Sequence, residues 1–393
     1  MLALTIRAIS AAQPESRIYL LAPGGAPAEP EFTWKRFLYA SKDVIKALIG
    51  RPRLKQNPEI TLAENCAELI GRIRAHVPGL EVRYGAGLDD DLKCAAKVLE
   101  LDAIYLAMRP PKLRPECALI GYVPDYQHRH LPNLFSAKEV DLREEISGRL
   151  IRSSDAVVMN ARAVANDMRK FEGEPLPGLY PLPFAPNLEP EWLQPRLDLL
   201  SAYSINSPYF IVCNQFWMHK DHLTAFRALA EIVKRRPSVT LICTGGTTDY
   251  RNQGYFRKLE VEAEKLGLGS RLRFVGHIPK RAQIELLKHA VALIQPTLFE
   301  GGPGGGSTYE AVALGKRVLI TDLAVNREAD RGDLRFFPPG DHLALSHLME
   351  AALTDMPKTC DASILLEQSQ LSLRRYGEEI WKAIRSAVAA NKR

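Results

Sequence analysis

The chain has no hydrophobic run long enough to cross a membrane as a helix, and this absence narrows the classes of protein to consider. In 393 residues no uninterrupted apolar stretch reaches the roughly 18 residues that span a bilayer. The N-terminus also lacks the basic start and small-residue cleavage site of a secretory signal. We therefore expect a soluble, cytoplasmic protein.

Cysteines are few, and the net charge is modest. The six cysteines are scattered and form no Cys-x-x-Cys pair, as expected for reduced, structural thiols rather than a disulfide framework. The net charge is +6, and the segment 34–55 alone carries seven basic residues and one acid. The remainder of the chain is thus close to neutral, which argues against a nucleic-acid partner.

The basic segment 34–55 has two interpretations that its sequence leaves open. Its apolar side chains fall on one helical face, with most of its lysines and arginines elsewhere. Such a helix can lie on anionic lipid, which would give the protein a peripheral contact with the inner face of the membrane. It can equally be an ordinary amphipathic helix with a solvated basic back.

The second half of the chain alternates apolar strand-like runs with amphipathic helices, the pattern of a parallel sheet covered on both faces. The predicted strands are 209–213, 239–243, 272–275, 291–294 and 317–320, and the predicted helices are 222–234, 255–266, 282–290 and 307–314. This pattern predicts a nucleotide-binding type of domain over residues 205–365.

The first half repeats the pattern less regularly and predicts a second α/β domain over residues 1–187. Its expected strands are 17–21, 103–106, 118–122 and 156–159. The chain opens in a helix, so the first strand expected of such a domain is missing or the domain is built unusually. A proline-rich stretch at 178–187 ends the domain and leads into a hinge. The final segment, 366–393, is expected to be a helix that returns to the first domain.

A glycine-rich turn is the most informative segment of the sequence. Residues 295–311 read Gln-Pro-Thr-Leu-Phe-Glu-Gly-Gly-Pro-Gly-Gly-Gly-Ser-Thr-Tyr-Glu-Ala and lie between a buried strand and a helix. Five glycines in six positions let the backbone approach a ligand closely. The helix expected to start near Ser307 adds unpaired amides and a partial positive charge, which together favour a phosphate.

Other motifs fit this turn less well. Gly301 and Gly306 have the spacing of a Walker A loop, but Ser307 replaces its lysine, so a nucleoside triphosphatase is disfavoured. The segment also lacks the last glycine of a serine-hydrolase nucleophile elbow. Ser307 and Glu310 together form a capping box, which would explain those two residues but not the glycines.

The order Phe299-Glu300-Gly301, glycine turn, Glu310-Ala311 and Gly315-Lys316 resembles the signature of family 4 glycosyltransferases. The resemblance implies a GT-B fold, in which two Rossmann-like, doubly wound α/β domains face a cleft. It also implies that Glu300 contacts the donor sugar and Glu310 the donor ribose. The spacing between these glutamates is two residues longer than in that family, so the turn is expected to bulge.

The resemblance extends to loops that would hold the rest of the donor. Lys220 matches a lysine that neutralises the donor diphosphate, whereas Asn214 and Gln215 stand where the family has an arginine. Two further loops resemble those that hold the base. The expected donor-binding residues are Asn214, Gln215, Lys220, Gly245, Gly246, His277, Ile278, Gly304, Gly305, Gly306, Ser307, Thr308 and Glu310.

A polar and aromatic cluster follows the strand at 118–122 in the first half. It reads Pro-Asp-Tyr-Gln-His-Arg-His-Leu-Pro over residues 124–132 and resembles an Asp-x-Gln-His-x-x-Leu-Pro stretch in a subset of the same family. The resemblance implies that Asp125 and His128 position the acceptor or stabilise the leaving phosphate. His130 is a weaker candidate, since loop histidines are common. The predicted catalytic set is Asp125, His128, Lys220 and Glu300.

Three consecutive aspartates at 89–91 could be mistaken for the metal-binding Asp-x-Asp of the other glycosyltransferase fold. They open a helical run at Leu92, where the helix dipole favours acidic side chains, so we interpret them as capping residues. No metal site and no cofactor beyond the nucleotide-sugar substrate are expected.

The resemblance therefore implies a retaining hexosyltransferase that uses a nucleotide-sugar and a glycan or lipid-linked acceptor in surface polysaccharide synthesis. Two alternatives stay open. One is a GT-B nucleotide-sugar epimerase, which needs additional acid–base residues facing the sugar. The other is a non-catalytic, sugar-nucleotide-binding subunit of GT-B shape, which the missing arginine and the missing first strand would suit.

Overall fold

The structure is a computed structural model that describes residues 2–22, 71, 73–77, 79–84, 91–196, 203, 205, 208–355 and 361–392. The basic segment 34–55, Asp89, Asp90 and part of the expected hinge lie outside the described residues. Asp91 is the first residue of a helix, where the sequence pattern placed the start of a helical run.

The N-terminal domain contains two parallel sheets. Its elements are α1 (Leu2–Ala12), β1 (Tyr19–Ala22), β2 (Glu81–Tyr84), α2 (Asp91–Val98), β3 (Ala103–Ala107), β4 (Ala118–Tyr122), α3 (Gln127–His130), α4 (Ala137–Ser153), β5 (Ala156–Met159), α5 (Arg162–Phe171) and β6 (Gly178–Pro181). Strands β1 and β2 pair with each other, and the second sheet has the order β3-β4-β5-β6. Strand β6 lies where the sequence pattern indicated only a proline-rich end of the domain.

The C-terminal domain is built on one six-stranded parallel sheet of order β12-β11-β10-β7-β8-β9. Its elements are β7 (Tyr209–Cys213), α6 (His222–Val233), β8 (Thr240–Thr244), α7 (Tyr255–Lys265), β9 (Leu272–Gly276), α8 (Lys280–His289), β10 (Leu293–Gln295), α9 (Gly305–Ala313), β11 (Val318–Thr321), β12 (Leu334–Phe337) and α10 (His342–Thr354). The last strand and helix were not singled out in the sequence, although they lie inside the predicted domain.

Strand β7 shows why this sheet is buried on both faces. Phe210 and Val212 belong to one apolar cluster, with side chains of α6 and α10, whereas Tyr209 and Ile211 belong to another, with side chains of α8 and α9. Successive side chains of a strand point to opposite faces, so a continuous apolar run fits a sheet with helices on both sides.

Helix α4 begins at a complete capping box. The Ser136 side chain accepts a hydrogen bond from the Glu139 amide, and the Glu139 carboxylate accepts one from the Ser136 amide. Two otherwise unpaired amides of the helix end are satisfied in this way. The cap fixes the start of α4, which carries Arg143 and Glu144 alongside the loop after β4.

The last helix, α11 (Ala362–Asn391), packs on the N-terminal domain. Tyr376, Ile380 and Ala383 share one buried cluster with Ala8 of α1 and Ile120 of β4. The indole nitrogen of Trp381 also donates a hydrogen bond to the Ile9 carbonyl at 3.0 Å. The C-terminal end of the chain is thus part of the N-terminal core.

The crossing of α11 over α1 depends on Gly377. A Cβ atom at this position would lie 2.1 Å from the Ala8 carbonyl oxygen, a backbone atom that cannot move aside. We predict that Gly377→Ala lowers the free energy of unfolding by about 1–3 kcal/mol, as overpacking of a core does. Urea denaturation would measure the change. Gly79→Ala is the control, since a Cβ there meets nothing within 4 Å; equal effects of the two substitutions would contradict the packing argument.

Candidate functional site

The glycine turn after β10 leads directly into α9. Gly304 and Gly305 both have a left-handed backbone, with φ of 68° and 69°. Only glycine adopts this conformation readily, and it lets the helix begin at Gly305 rather than at Ser307. Ser307 therefore lies inside the helix, Gly304 occupies the N-cap position, and no side chain caps the helix. The capping-box interpretation of Ser307 and Glu310 is wrong.

The buried side-chain amide of Gln295 fixes the shape of the turn. Gln295, which is fully buried at the end of β10, accepts a hydrogen bond from Asn214 Nδ2 at 2.8 Å. Its own Nε2 donates to the Gly304 carbonyl at 2.7 Å and to Glu300 Oε1 at 3.0 Å. Because every polar atom of Gln295 is paired, the loop after β7 and both ends of the turn are held in one arrangement.

The other side of the turn is held by Asn326. Its Oδ1 accepts a hydrogen bond from the Gly304 amide at 2.8 Å, and its Nδ2 donates to the Thr321 carbonyl at 2.9 Å. The Thr308 hydroxyl in turn donates to the Gly304 carbonyl at 2.8 Å. Both polar groups of the Gly304 backbone are thus satisfied, whereas the first amides of α9 have no acceptor within their own helix.

Lys220 and Glu300 form an ion pair beside the turn. Lys220 Nζ lies 2.5 Å from Glu300 Oε1, and the two side chains are only 13% and 9% exposed. Lys220 is brought there by a single 3-10 turn, 218–220, that precedes α6. The structure therefore joins the predicted diphosphate lysine and the predicted sugar-contacting glutamate.

Glu310 lies on the first turns of α9 and points toward α8. Its carboxylate accepts hydrogen bonds from Lys280 Nζ at 2.7 Å and from Gln283 Nε2 at 3.2 Å. Lys280 is the first residue of α8, two positions after Ile278. The predicted ribose-contacting residue thus lies near the loop that contains His277 and Ile278, although no hydrogen bond joins that loop to Glu310 among the described residues.

The loops after β7 and β8 interlock. Gln215 Oε1 accepts a hydrogen bond from the Gly246 amide at 2.8 Å. Gly245 has a φ of 128°, and a Cβ there would lie 2.1 Å from the Asn214 carbonyl oxygen. A side chain at 245 would therefore push these loops apart, which explains the glycine between two predicted donor-binding segments.

The first two glycines of the turn lie close to the N-terminal domain. A Cβ on Gly301 would lie 2.7 Å from the Pro124 carbonyl oxygen and 2.8 Å from Asp125 Cβ. A Cβ on Gly302 would lie 3.0 Å from Asn160 Cβ. This part of the turn therefore faces the other domain, next to the loops after β4 and β5, whereas the expected bulge stays a prediction.

Asp125 lies half-buried at this contact. Its Oδ1 accepts a hydrogen bond from the Gln127 amide at 2.8 Å. Burial raises the pKa of Asp125, and the nearby Glu300 carboxylate raises it further, against the lowering effects of that hydrogen bond and of Arg143 and Lys220. Asp125 thus lies against Gly301 of the glycine turn.

The two histidines of this loop have different surroundings. His128 is 3% exposed, with its ring against Tyr126 and Phe135, and burial lowers its pKa to about 4. Neither of its ring nitrogens has a hydrogen-bond partner among the described residues. His130 pairs with Asp167 at 2.7 Å and lies against the Phe299 ring, 5.3 Å between centroids. His128 is thus enclosed by aromatic rings, whereas His130 reaches the segment of the glycine turn.

A second contact between the domains lies beyond the turn. The Glu328 carboxylate accepts hydrogen bonds from the amides of Arg162 and Ala163, both at 2.7 Å, and so caps α5 from the other domain. A cavity of about 460 Å³ opens beside this contact, and Arg162, Asn166 and Arg169 line it from α5. A carboxylate at a helix N-terminus is favoured by the helix dipole, so this contact stabilises the interface between the two domains.

Several of these residues carried no recognisable signal in the sequence. Gln295 precedes the glycine turn but belongs to no motif, and Asn326 lies 22 residues after the glycine whose amide it binds. Asn160 and Lys280 are single polar residues next to ordinary elements. A polar residue at the very end of a buried strand was the one available hint, and it applies to Gln295.

No group of three or more histidine, cysteine, aspartate or glutamate side chains in the described part of the chain is arranged to hold a metal ion. The expectation of a metal-free, cofactor-free site stays a prediction. No helix within the described ranges combines the length and apolar character needed to cross a bilayer.

A family model of known proteins matches the C-terminal domain. Residues 203–363 match the family model described as glycosyl transferases group 1, which covers less than half of the chain. No curated protein matches the chain by sequence. The C-terminal domain is a group 1 glycosyltransferase domain, and the chain is accordingly a glycosyltransferase enzyme.

Solved structures resemble almost the whole chain. HepE of Anabaena, solved with UDP and glucose, is 17% identical with a TM-score of 0.58, over 94% of this chain and 99% of HepE. A UDP-forming α,α-trehalose-phosphate synthase of Burkholderia vietnamiensis is 14% identical with a TM-score of 0.54, over 91% and 84%. Sucrose-phosphate synthase of Thermosynechococcus elongatus is 14% identical with a TM-score of 0.52, over 98% and 90%. The chain has the predicted GT-B fold, in which parallel α/β domains face a cleft.

The raised pKa of Asp125 makes a prediction for stability. A carboxyl whose pKa is higher in the folded than in the unfolded protein favours folding below its unfolded pKa of about 3.9, and this contribution is lost as the pH rises through the folded pKa. Asp125→Asn keeps the Oδ1 acceptor for the Gln127 amide but cannot ionise. We predict that the variant has a higher free energy of unfolding than the wild type at pH 7 and that the two converge below pH ~4. Urea denaturation at both pH values would measure this; a variant less stable at pH 7 would contradict it.

Proposed function

We propose that the chain transfers a hexosyl unit from a nucleotide-sugar to a glycan or lipid-linked acceptor, with retention of configuration, in the synthesis of a surface polysaccharide. The observation that supports this most directly is the junction of the glycine turn with α9. The helix start with its amides and Glu310 follow the turn directly, and the Lys220–Glu300 pair lies beside it at the carboxyl edge of the sheet. Ligands of open α/β sheets bind at this edge.

The amides at the start of α9 suit the donor diphosphate. They have no acceptor within the helix, and the helix dipole adds a partial positive charge. Gly305 and Gly306 have no side chains, so phosphate oxygens can reach these amides. Lys220 would add a full positive charge beside them. A fixed set of donors of this kind stabilises the negative charge that develops on a departing diphosphate.

The contacts of Glu300 support a role in selecting the sugar. Its carboxylate is held by Lys220 and Gln295, and its two oxygens lie 3.3–3.4 Å from the position that a Gly305 Cβ would occupy. A carboxylate fixed in this way is a strong acceptor for sugar hydroxyls. Because it is already paired with Lys220, it is not placed as a covalent nucleophile, so we propose attack of the acceptor from the face of the departing group, with a phosphate oxygen taking the proton.

The neighbours support a UDP-sugar as the first donor to test. HepE was solved with UDP and glucose, and the trehalose-phosphate synthase is described as UDP-forming. For the acceptor, Asp125 lies against Gly301 and faces the donor site from the other domain. A lipid-linked acceptor would agree with a peripheral membrane contact through the segment 34–55.

The proposed function is tested by calorimetry and product analysis with a panel of UDP-, GDP- and ADP-sugars. We expect binding of one nucleotide class, followed by hexosyl transfer or slow hydrolysis with the anomeric configuration retained. Interconversion of the bound sugar would indicate the epimerase. Binding without any turnover would favour a non-catalytic subunit, and the absence of binding by every nucleotide would contradict all three functions.

Glu310 provides a sharper test of donor placement. We predict that Glu310→Ala weakens UDP binding about tenfold or more, because a carboxylate bound to ribose hydroxyls forms charge-assisted hydrogen bonds. The same substitution should leave the weaker binding of 2′,3′-dideoxy-UDP unchanged. Glu231→Ala on the surface of α6 is the matched control. Equal losses for UDP and the dideoxy compound would remove the ribose role from Glu310.

The Lys220–Glu300 pair gives opposite expectations for binding and turnover. Glu300→Gln keeps an oxygen that can accept from Gln295 Nε2, but it frees Lys220 from a carboxylate at 2.5 Å. We predict that UDP then binds as tightly as to the wild type or more tightly, whereas turnover of the UDP-sugar falls about 100-fold or more. Calorimetry and an initial-rate assay separate the two effects. Weaker UDP binding by Glu300→Gln would show that the carboxylate does not restrain Lys220.

A further inference from the structure

Arg251 lies on the loop after β8 and belongs to none of the motifs in the sequence. Its side chain is only 6% exposed, and its Nε donates to Asp249 Oδ1 at 3.2 Å. The guanidinium also lies 5.4–5.5 Å from the ring centroids of Trp217 and Phe135, one from each domain. A buried charge in this position is held by a complete set of partners.

Two further partners of Arg251 lie on opposite sides of the cleft. Arg251 Nη1 donates to Gln127 Oε1 in the N-terminal domain, and Nη2 donates to His219 Nδ1 in the C-terminal domain, both at 3.2 Å. Among the described residues, Arg251 joins the loop that contains Asp125 to the loop that contains Lys220 through side-chain hydrogen bonds.

The connection to Lys220 passes through a neutral histidine. Burial, together with the charges of Lys220 and Arg251, lowers the pKa of His219 to about 2. Arginine is always protonated and can only donate, so His219 Nδ1 is the acceptor and its proton lies on Nε2. The His219 carbonyl accepts hydrogen bonds from the Leu298 amide at 2.8 Å and the Thr297 hydroxyl at 3.2 Å. His219, the residue before Lys220, is thus tied to the start of the glycine turn.

The connection to Asp125 is equally short. The Gln127 amide donates to Asp125 Oδ1 at 2.8 Å, while the Gln127 side chain accepts from Arg251. Neither of these contacts is needed for the N-terminal core, since Gln127 is only half-buried on a four-residue helix. The hydrogen bond between Gln127 and Arg251 therefore serves the relative placement of the domains.

We propose that Arg251 is a positioning residue that sets the placement of Asp125 relative to Lys220 across the cleft. This role rests on the proposed transfer reaction, since it matters only where an acceptor must meet a donor. Arginine suits it because a planar guanidinium donates in three fixed directions at once. Lysine would keep the charge but not this geometry.

The test compares Arg251→Lys, Gln127→Ala and the double variant, with Arg257→Lys on the exposed face of α7 as the matched control. We expect both single variants to lower kcat about 10- to 100-fold, because small misplacements of reacting groups are costly, while the dissociation constant of UDP changes less than about threefold. The double variant should be no slower than Arg251→Lys, since both remove one connection. Additive losses, a parallel loss of UDP binding, or an unchanged kcat would overturn the proposal.

A second measurement needs no donor. Hydrogen exchange of the ligand-free protein should be faster at the amides of residues 125–130 in Arg251→Lys than in the wild type, and unchanged in Arg257→Lys. Unchanged exchange at these amides would overturn the proposal. If the wild type binds and turns over no nucleotide-sugar, the proposed function fails, and the exchange experiment still decides whether Arg251 restrains this loop. Gln127→Ala keeps the test open if Arg251→Lys does not fold.

Discussion

The arrangement of the site depends on the buried side chain of Gln295. Its amide must find partners because an unpaired polar group in the interior costs free energy. The partners available are Asn214, Glu300 and the Gly304 carbonyl, which belong to three separate segments. Satisfying one amide therefore fixes the loop after β7, the start of the turn and its end together. The Lys220–Glu300 pair and the opening of α9 take their positions from this arrangement.

The regular elements could largely be predicted from the sequence. Strands β4 and β5 have the expected bounds, since a continuous apolar run bounded by polar residues leaves little choice of register. The start of α9 could not be predicted correctly, because a serine and a glutamate at capping-box spacing compete with two glycines that can adopt a left-handed backbone. The glycines prevail where Asn326 and Thr308 hold Gly304 in that conformation. Such partners are distant in sequence and leave no local pattern.

The residues of the candidate site also divide into those that local sequence indicates and those that depend on distant contacts. Glu300, Lys220 and the glycines were recognisable because they lie within one motif or at fixed distances from strand ends. Arg251 was not, since its role comes from meeting Gln127 of another domain, more than 100 residues earlier in the chain. The longer turn was visible as a count of residues, but only the structure shows that Gly301 approaches Asp125 of the N-terminal domain. Contacts between domains are the part that a single sequence conceals.

Charge pairing around the cleft links donor binding to the Lys220–Glu300 pair. Lys220 is paired with Glu300, Lys280 with Glu310, and Arg251 with Asp249, so these three positive side chains already have a carboxylate partner. The amides at the start of α9 add a positive potential that no carboxylate side chain caps. A diphosphate would therefore meet the backbone first and would compete with Glu300 for Lys220 afterwards. Because that exchange replaces one charged pair with another, it costs less than leaving Lys220 unpaired would, and it links donor binding to the freedom of the Glu300 carboxylate.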